Sequence, residues 1–138
     1  MAKKPSLEIS QNPKDLAARQ RVNIALLPSS GIIHGAMACM DGAQKYGQYN
    51  FREEKISFLG YISAIQRHSL DLIDGEDYAS DSLCHHLGHI IATASILIDA
   101  IENDCVIDDR PKKGRASAIL EKAKETLAAR AGMGTKAK

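Results

Sequence analysis

The chain has 138 residues, with 18 Lys and Arg against 17 Asp and Glu, 44% hydrophobic residues, 4% aromatic residues and no Trp. This length suits one domain with one core, and 25% charged residues is a globular rather than a disordered composition. A formal net charge of +1 excludes bulk electrostatic attraction to nucleic acid or an anionic membrane, and so few aromatics argue against a base-stacking sheet. No apolar run approaches the ~18–20 residues of a membrane span; Ile90 to Ile101 comes nearest and is broken by Thr93, Ser95 and Asp99. Met1 to Pro13 is polar and basic, without the apolar stretch of a secretory signal. Cys39, Cys84 and Cys105 are odd in number and lack CxxC spacing, as in a reducing, cytoplasmic setting, and are read as structural.

In chain order, residues 1–22 read as a flexible polar arm, followed by one helical domain over 23–131 and a basic tail over 132–138. Within the domain, a first helix is expected from about Ile32 to Lys45, with Ile33, Ala36, Met37, Met40 and Ala43 on its buried face. Gly47 is a stop signal, and Gly47 to Lys55 reads as a loop. A second helix spans Ser57 to Ile73, with Phe58, Ile62, Ile65 and Leu72 on one stripe and Tyr61, Ala64 and His68 on the next. An acidic connection follows, where Asp81 or Ser82 can cap a third helix. That helix is marked by Leu83, Leu87, Ile90, Ala94, Leu97 and Ile101, a packing seam at heptad-like spacing. A last helix, about Arg115 to Arg130, turns Ile119, Leu120, Ala123 and Leu127 inward. With no convincing strand pattern, the fold class is all-α, a helical bundle.

Two clusters carry potential chemistry. His68, Asp71, Glu76, Asp77, His86 and His89 lie within 22 residues. At ~100° per residue, an antiparallel pairing of the second and third helices faces His68 and Asp71 toward His86 and His89, with His85 pointing away. Carboxylates with one or two imidazoles suit a divalent metal such as Mg²⁺ or Mn²⁺; hydrogen-bonded boundary histidines and a solvated turn are the plainer alternative. The second cluster is Lys45-Tyr46-Gly47-Gln48-Tyr49-Asn50-Phe51-Arg52, with Arg67 nearby. Its cations can bind phosphate and its amide and phenols can orient a ligand. The alternatives are a glycine-centred turn with solvated cations and, for Arg67, an intrahelical pair with Asp71 worth ~0.3–0.5 kcal/mol.

The order of these motifs resembles the phage dATP/dGTP diphosphohydrolase family. Gly42-Ala43-Gln44-Lys45-Tyr46-Gly47 with Asn50-Phe51-Arg52 is similar to GAxKYGxxNWR, Tyr61 to Arg67-His68 to YxxAxxRH, Gly75-Glu76-Asp77 with Asp81-Ser82 to GEDxDxESG, and His86 with His89 to HxxH. Arg21 and Leu27-Pro28 resemble the family's opening and Asp108 to Pro111 a common ending, so the likeness spans about residues 21–111. Phe51 stands for the usual Trp, Ala79 for Asp, Asp81 for Glu and Leu83 for Gly. The ExxE and ExxD metal motifs of the related MazG-like enzymes are absent in that form; Arg67-His68-xx-Asp71 and His86-xx-His89 occupy the facing positions.

The resemblance implies a MazG-like all-α pyrophosphohydrolase. It would cleave a purine deoxynucleoside triphosphate, dGTP or dATP, to the monophosphate and pyrophosphate with Mg²⁺ or Mn²⁺. Glu76, His68 and Asp77 would be catalytic. Glu76, Asp77, His86, His89 and Asp71 would hold metal, either with histidines in place of the usual carboxylates or with Glu76, Asp77 and Asp81 supplying most of the binding. Lys45, Tyr46, Asn50, Phe51, Arg52 and Arg67 would bind substrate. A homodimer or homotetramer, location in the host cytoplasm and, for the MazZ type, supply of dGMP for 2-aminoadenine phage DNA are further implications. Two other readings stand beside it: an HD-like triphosphohydrolase, motivated by the inward histidines although no His-Asp dipeptide occurs, and a non-catalytic helical interaction module.

Overall fold

The computed structural model describes residues 8–134, so the outer parts of the expected arm and tail, 1–7 and 135–138, lie outside the described residues. The elements are α1 (Pro13–Ala18), a 3-10 turn (Ile24–Leu26), α2 (Ser29–Tyr46), α3 (Asn50–Glu53), β1 (Ile56–Ser57), α4 (Phe58–Ile73), α5 (His86–Glu102), β2 (Val106–Ile107) and α6 (Ala116–Gly134). The all-α class holds, in an arrangement consistent with the MazG-like fold. No helix among the described residues is long and apolar enough to cross a membrane.

α5 is the central helix, packed by α2 on one side and α4 on the other. The α2–α5 crossing is close because small residues meet there: a Cβ on Gly88 would lie 2.6 Å from the His34 carbonyl oxygen, and one on Gly35 would lie 2.7 Å from Ile91 Cγ2. Ala38 and Ala92 are buried in one cluster with Cys84, and Leu97 and Ala100 are buried farther along α5. This reverses the expected face of α2. Ile33, Met37 and Met40 are exposed, because backbones approach most closely over glycine and alanine while bulky side chains are left at the shoulders. Leu87 and Ile101 of the expected α5 seam are exposed for the same reason. Leu83 is not helical at all: its φ is 59°, and α5 begins at His86, capped by the His85 ring rather than by Asp81 or Ser82. On α6 every described residue is exposed, including Ile119, Leu120 and Leu127, which were expected to point inward.

The stretch expected as plain loop contains α3 and β1, and the next connection contains β2. The two strands pair in parallel, Ile56 with Val106 and Ser57 with Ile107, and Ile56 N–H donates to the Cys105 carbonyl at 3.0 Å. Two residues each are too short to show alternation in sequence. Their effect is positional, since they bring Asp109 to the start of α4. There its carboxylate accepts from the Ser57 hydroxyl and from Leu59 N–H at 2.8 Å, while Ser57 Oγ caps α4 by accepting from Gly60 N–H at 2.9 Å. Arg110, paired with Asp108 at 2.7 Å, lies 4.2 Å over the Phe58 ring. At the other end, Gly75 at φ 92° lets the chain fold back, and Glu76 N–H donates to the Asp71 carbonyl at 2.9 Å.

Candidate active site

The end of α4 and the start of α5 run antiparallel, and their histidines meet. His86 is the buried polar residue among those described. Its N–H donates to the Asp77 carbonyl at 2.8 Å, fixing its backbone. Its ring nitrogens face two partners: Nδ1 is 2.8 Å from His68 Nδ1, and Nε2 is 3.4 Å from Glu76 Oε1. Asp71 Oδ2 lies 3.8 Å from the same Nδ1, on a side chain about half exposed at 48%. His68 stacks flat on His89, with ring centroids 4.6 Å apart and planes within 1°. His89 Nε2 is in turn 2.7 Å from Ser82 Oγ. Burial, followed by repulsion from the neighbouring imidazoles, lowers the pKa of His68; burial also lowers that of His89. Both rings are thereby held toward the neutral form, which is the form that ligates a metal.

Beside this cluster opens a cavity of about 1100 Å³. α2 supplies one wall from Ala38 to Tyr46, α4 the other from Gly60 to Asp71, and His89, Ala92, Thr93 and Ile96 of α5 the floor. Gly60 to Asp71 at 1.5 Å per residue makes it roughly 16 Å long. One end carries His68, Asp71, His89, Arg67, Lys45 and Asp81; Tyr46, Tyr49, Asn50, Phe51 and Tyr61 also line it. The Tyr49 and Phe51 rings lie 5.8 Å apart. Burial raises the Tyr61 phenol pKa, which keeps its O–H as a donor.

The expected site residues are sorted by this geometry. His68, Asp71 and His86 place one ligating atom each within 4.8 Å of one another, and they are the residues among those described that form such a group. Glu76 reaches it through His86 Nε2, and Asp77 through its backbone carbonyl. Lys45 Nζ is 2.8 Å from Asp41 Oδ2 and 3.4 Å from Asp81 Oδ2, and these contacts raise its pKa and lower that of Asp81. Arg67 bonds Ser63 Oγ at 3.1 Å, not Asp71. Arg52 is turned elsewhere: it grips Asp99 through two hydrogen bonds of 2.9 and 2.6 Å and does not line the cavity. α3 is held further by Cys105 Sγ, which donates to the Arg52 carbonyl at 3.2 Å. Asp41 belongs to the site without having been singled out, and Ser82, expected as a helix cap, instead bonds the His89 ring. Asp41 sits four residues before Lys45 on one helix face, a spacing that could have signalled the pair.

The family model for the N-terminal domain of dATP/dGTP diphosphohydrolases matches residues 11–110, from α1 through both strands to Arg110. The chain belongs to this family. No curated protein and no solved structure matches it. As a member of the dATP/dGTP diphosphohydrolase family it is a hydrolase of nucleoside triphosphates. Both the imidazole cluster and the whole cavity fall inside the matched region, and α6 falls outside it. The donor set at the cluster, two imidazoles and a carboxylate with converging atoms, fits a divalent metal ion.

Proposed function

We propose that this chain cleaves the α–β phosphoanhydride of dGTP or dATP, giving the deoxynucleoside monophosphate and pyrophosphate in a Mg²⁺- or Mn²⁺-dependent reaction. The observation that carries this reading is the cavity itself, in which a metal-competent, cation-bearing cluster is continuous with a run of aromatic side chains. A nucleotide lying along it sets its triphosphate near His68, Asp71, Lys45 and Arg67, and its base against Tyr46, Tyr49, Phe51 or Tyr61. A bound metal ion supplies activation of water and neutralisation of the phosphates. The protein's own contributions are positional and electrostatic. Lys45 and Arg67 place positive charge beside the pyrophosphate leaving group. Buried His86, bonded to the exposed carboxylate of Glu76, holds the cluster in register, and Tyr and Asn side chains orient the nucleoside.

Arg52 serves this site indirectly, by tying α3 to Asp99 of α5. A homodimer or homotetramer is part of the proposal, supported by the exposed Ile33, Met37 and Met40 stripe of α2 and by exposed Leu87 and Ile98 on α5. In a phage-infected cell the dGMP formed would serve 2-aminoadenine synthesis in the host cytoplasm. The imidazole-rich donor set favours one second reading, release of intact tripolyphosphate with the nucleoside. Incubation of each common nucleotide with Mn²⁺ or Mg²⁺, followed by product chromatography, tests the proposal. Monophosphate with pyrophosphate supports it, and nucleoside with tripolyphosphate supports the second reading.

A further inference from the structure

We infer that His68, Asp71 and His86 together bind one borderline transition-metal ion of the Mn²⁺, Co²⁺ or Zn²⁺ class in preference to Mg²⁺, with Glu76 and His89 as positioning residues rather than ligands. This deepens the metal dependence proposed above and depends on that reading only for the use made of the ion.

The two Nδ1 atoms of His68 and His86 stand 2.8 Å apart and aim at each other across the α4–α5 seam. Two ligands of an ion bound at ~2.1 Å stand about 3.0–3.4 Å apart in tetrahedral or octahedral geometry. Opening the pair by a few tenths of an ångström therefore lets one ion replace the proton they share, with Asp71 Oδ2 3.8 Å from His86 Nδ1 and one ligating atom of each of the three residues within 4.8 Å of the others. Imidazole nitrogen is a good donor to Co²⁺ and Zn²⁺ and a weaker one to Mn²⁺, whereas Mg²⁺ takes oxygen ligands and sheds water reluctantly.

Glu76 and His89 have other roles because their reactive atoms are engaged elsewhere. Glu76 Oε1 faces the far nitrogen of His86, the arrangement in which a carboxylate fixes the tautomer and orientation of a ligating histidine. His89 lies parallel to His68, and its Nε2 is bound to Ser82 Oγ, which fixes the ring plane of His68 without pointing a donor into the cluster. The half-exposed Asp71 borders the cavity, so the remaining coordination positions open toward it.

The test uses the intact chain and each metal alone, without nucleotide. In ¹H–¹⁵N spectra of the imidazoles, added Zn²⁺ should shift the ring nitrogens of His68 and His86 and leave those of His34 and His85 in place. By titration calorimetry, Co²⁺ or Mn²⁺ should bind at least about tenfold more tightly than Mg²⁺. Asp71→Asn and His68→Gln should abolish that binding, Glu76→Gln should weaken it by about 10–100-fold, and His89→Phe, which keeps the stack, should leave it nearly intact. Equal or tighter Mg²⁺ binding, or Zn²⁺ shifts confined to His34 and His85, would overturn the proposal. The wild-type spectra decide the matter even if a variant fails to fold. A chain that cleaves dGTP while its Zn²⁺ shifts fall elsewhere contradicts this site but not the function. A chain that binds Co²⁺ here yet cleaves nothing does the reverse.

Discussion

α5 meets its two neighbours in opposite ways. Toward α2 it presents Gly88 and Ala92, and the helices approach until a single methyl group would strike the His34 carbonyl. Toward α4 it presents His86 and His89, and the contact is made by ring nitrogens, a stacked pair and a carboxylate. In the run His86-Leu87-Gly88-His89 the two surfaces meet at adjacent residues, Gly88 and His89. The close contact with α2 sets a rigid wall for the cavity. The polar contact with α4 leaves groups whose coordination is open to change. Stability and chemistry are thus divided between two sides of one helix.

The sharpest way to break this division is on the polar side. Asp71→Asn should reduce nucleotide hydrolysis by at least about 100-fold while helical circular dichroism and melting stay near wild type. A variant that is unfolded, or fully active, would merge the two sides again. On the close-packed side, Gly88→Ala should cost about 1–3 kcal/mol by overpacking against backbone, read as a fall in denaturant midpoint. Gly35→Ala should destabilise as well, because its methyl would lie 2.7 Å from Cγ2 of the β-branched, stiff Ile91 side chain.

At the far end of α4 from the histidines, Asp109 ties the segment after β2 to the start of the helix. The Ser57 hydroxyl and Leu59 N–H bonded to Asp109 hold its carboxyl below the usual range. A carboxyl whose folded pKa is depressed contributes stability above its unfolded value of about 4, and this is lost as pH falls through the folded value. Asp109→Asn should therefore lower the melting temperature at neutral pH, and the gap to wild type should close progressively as pH falls below about 4. A gap that persists in acid would place Asp109's contribution elsewhere. The smallest effect is expected at Leu83, exposed and left-handed at φ 59°. Leu83→Gly should stabilise the chain by about 1 kcal/mol, measured by chemical denaturation, with hydrolysis unchanged.

The polar side of α5 was legible in the sequence because it depends on local spacing. His68 with Asp71 and His86 with His89 each repeat at three residues, and one short connection makes the pairing antiparallel. The close-packed side was not. Hydrophobic periodicity selects Ile33, Met37 and Met40, but proximity is governed by the smallness of Gly35 and Ala38, which adds little to an apolar pattern. Arg52 looked like a phosphate ligand because its partner, Asp99, lies 47 residues away. The capping of α4 by Asp109 depends on a pairing of two-residue strands that leaves no periodic trace. Leu83 extended an apolar repeat by one step, although its backbone is that of a turn.

The central claim is that the cavity beside the imidazole cluster hydrolyses a purine deoxynucleoside triphosphate between its α and β phosphates. Ion-exchange chromatography of dGTP and dATP after incubation with the chain and Mn²⁺ tests it most directly. The account predicts deoxynucleoside monophosphate and pyrophosphate in equal amounts. Deoxynucleoside with tripolyphosphate, or no turnover by a folded, metal-loaded chain, would contradict it.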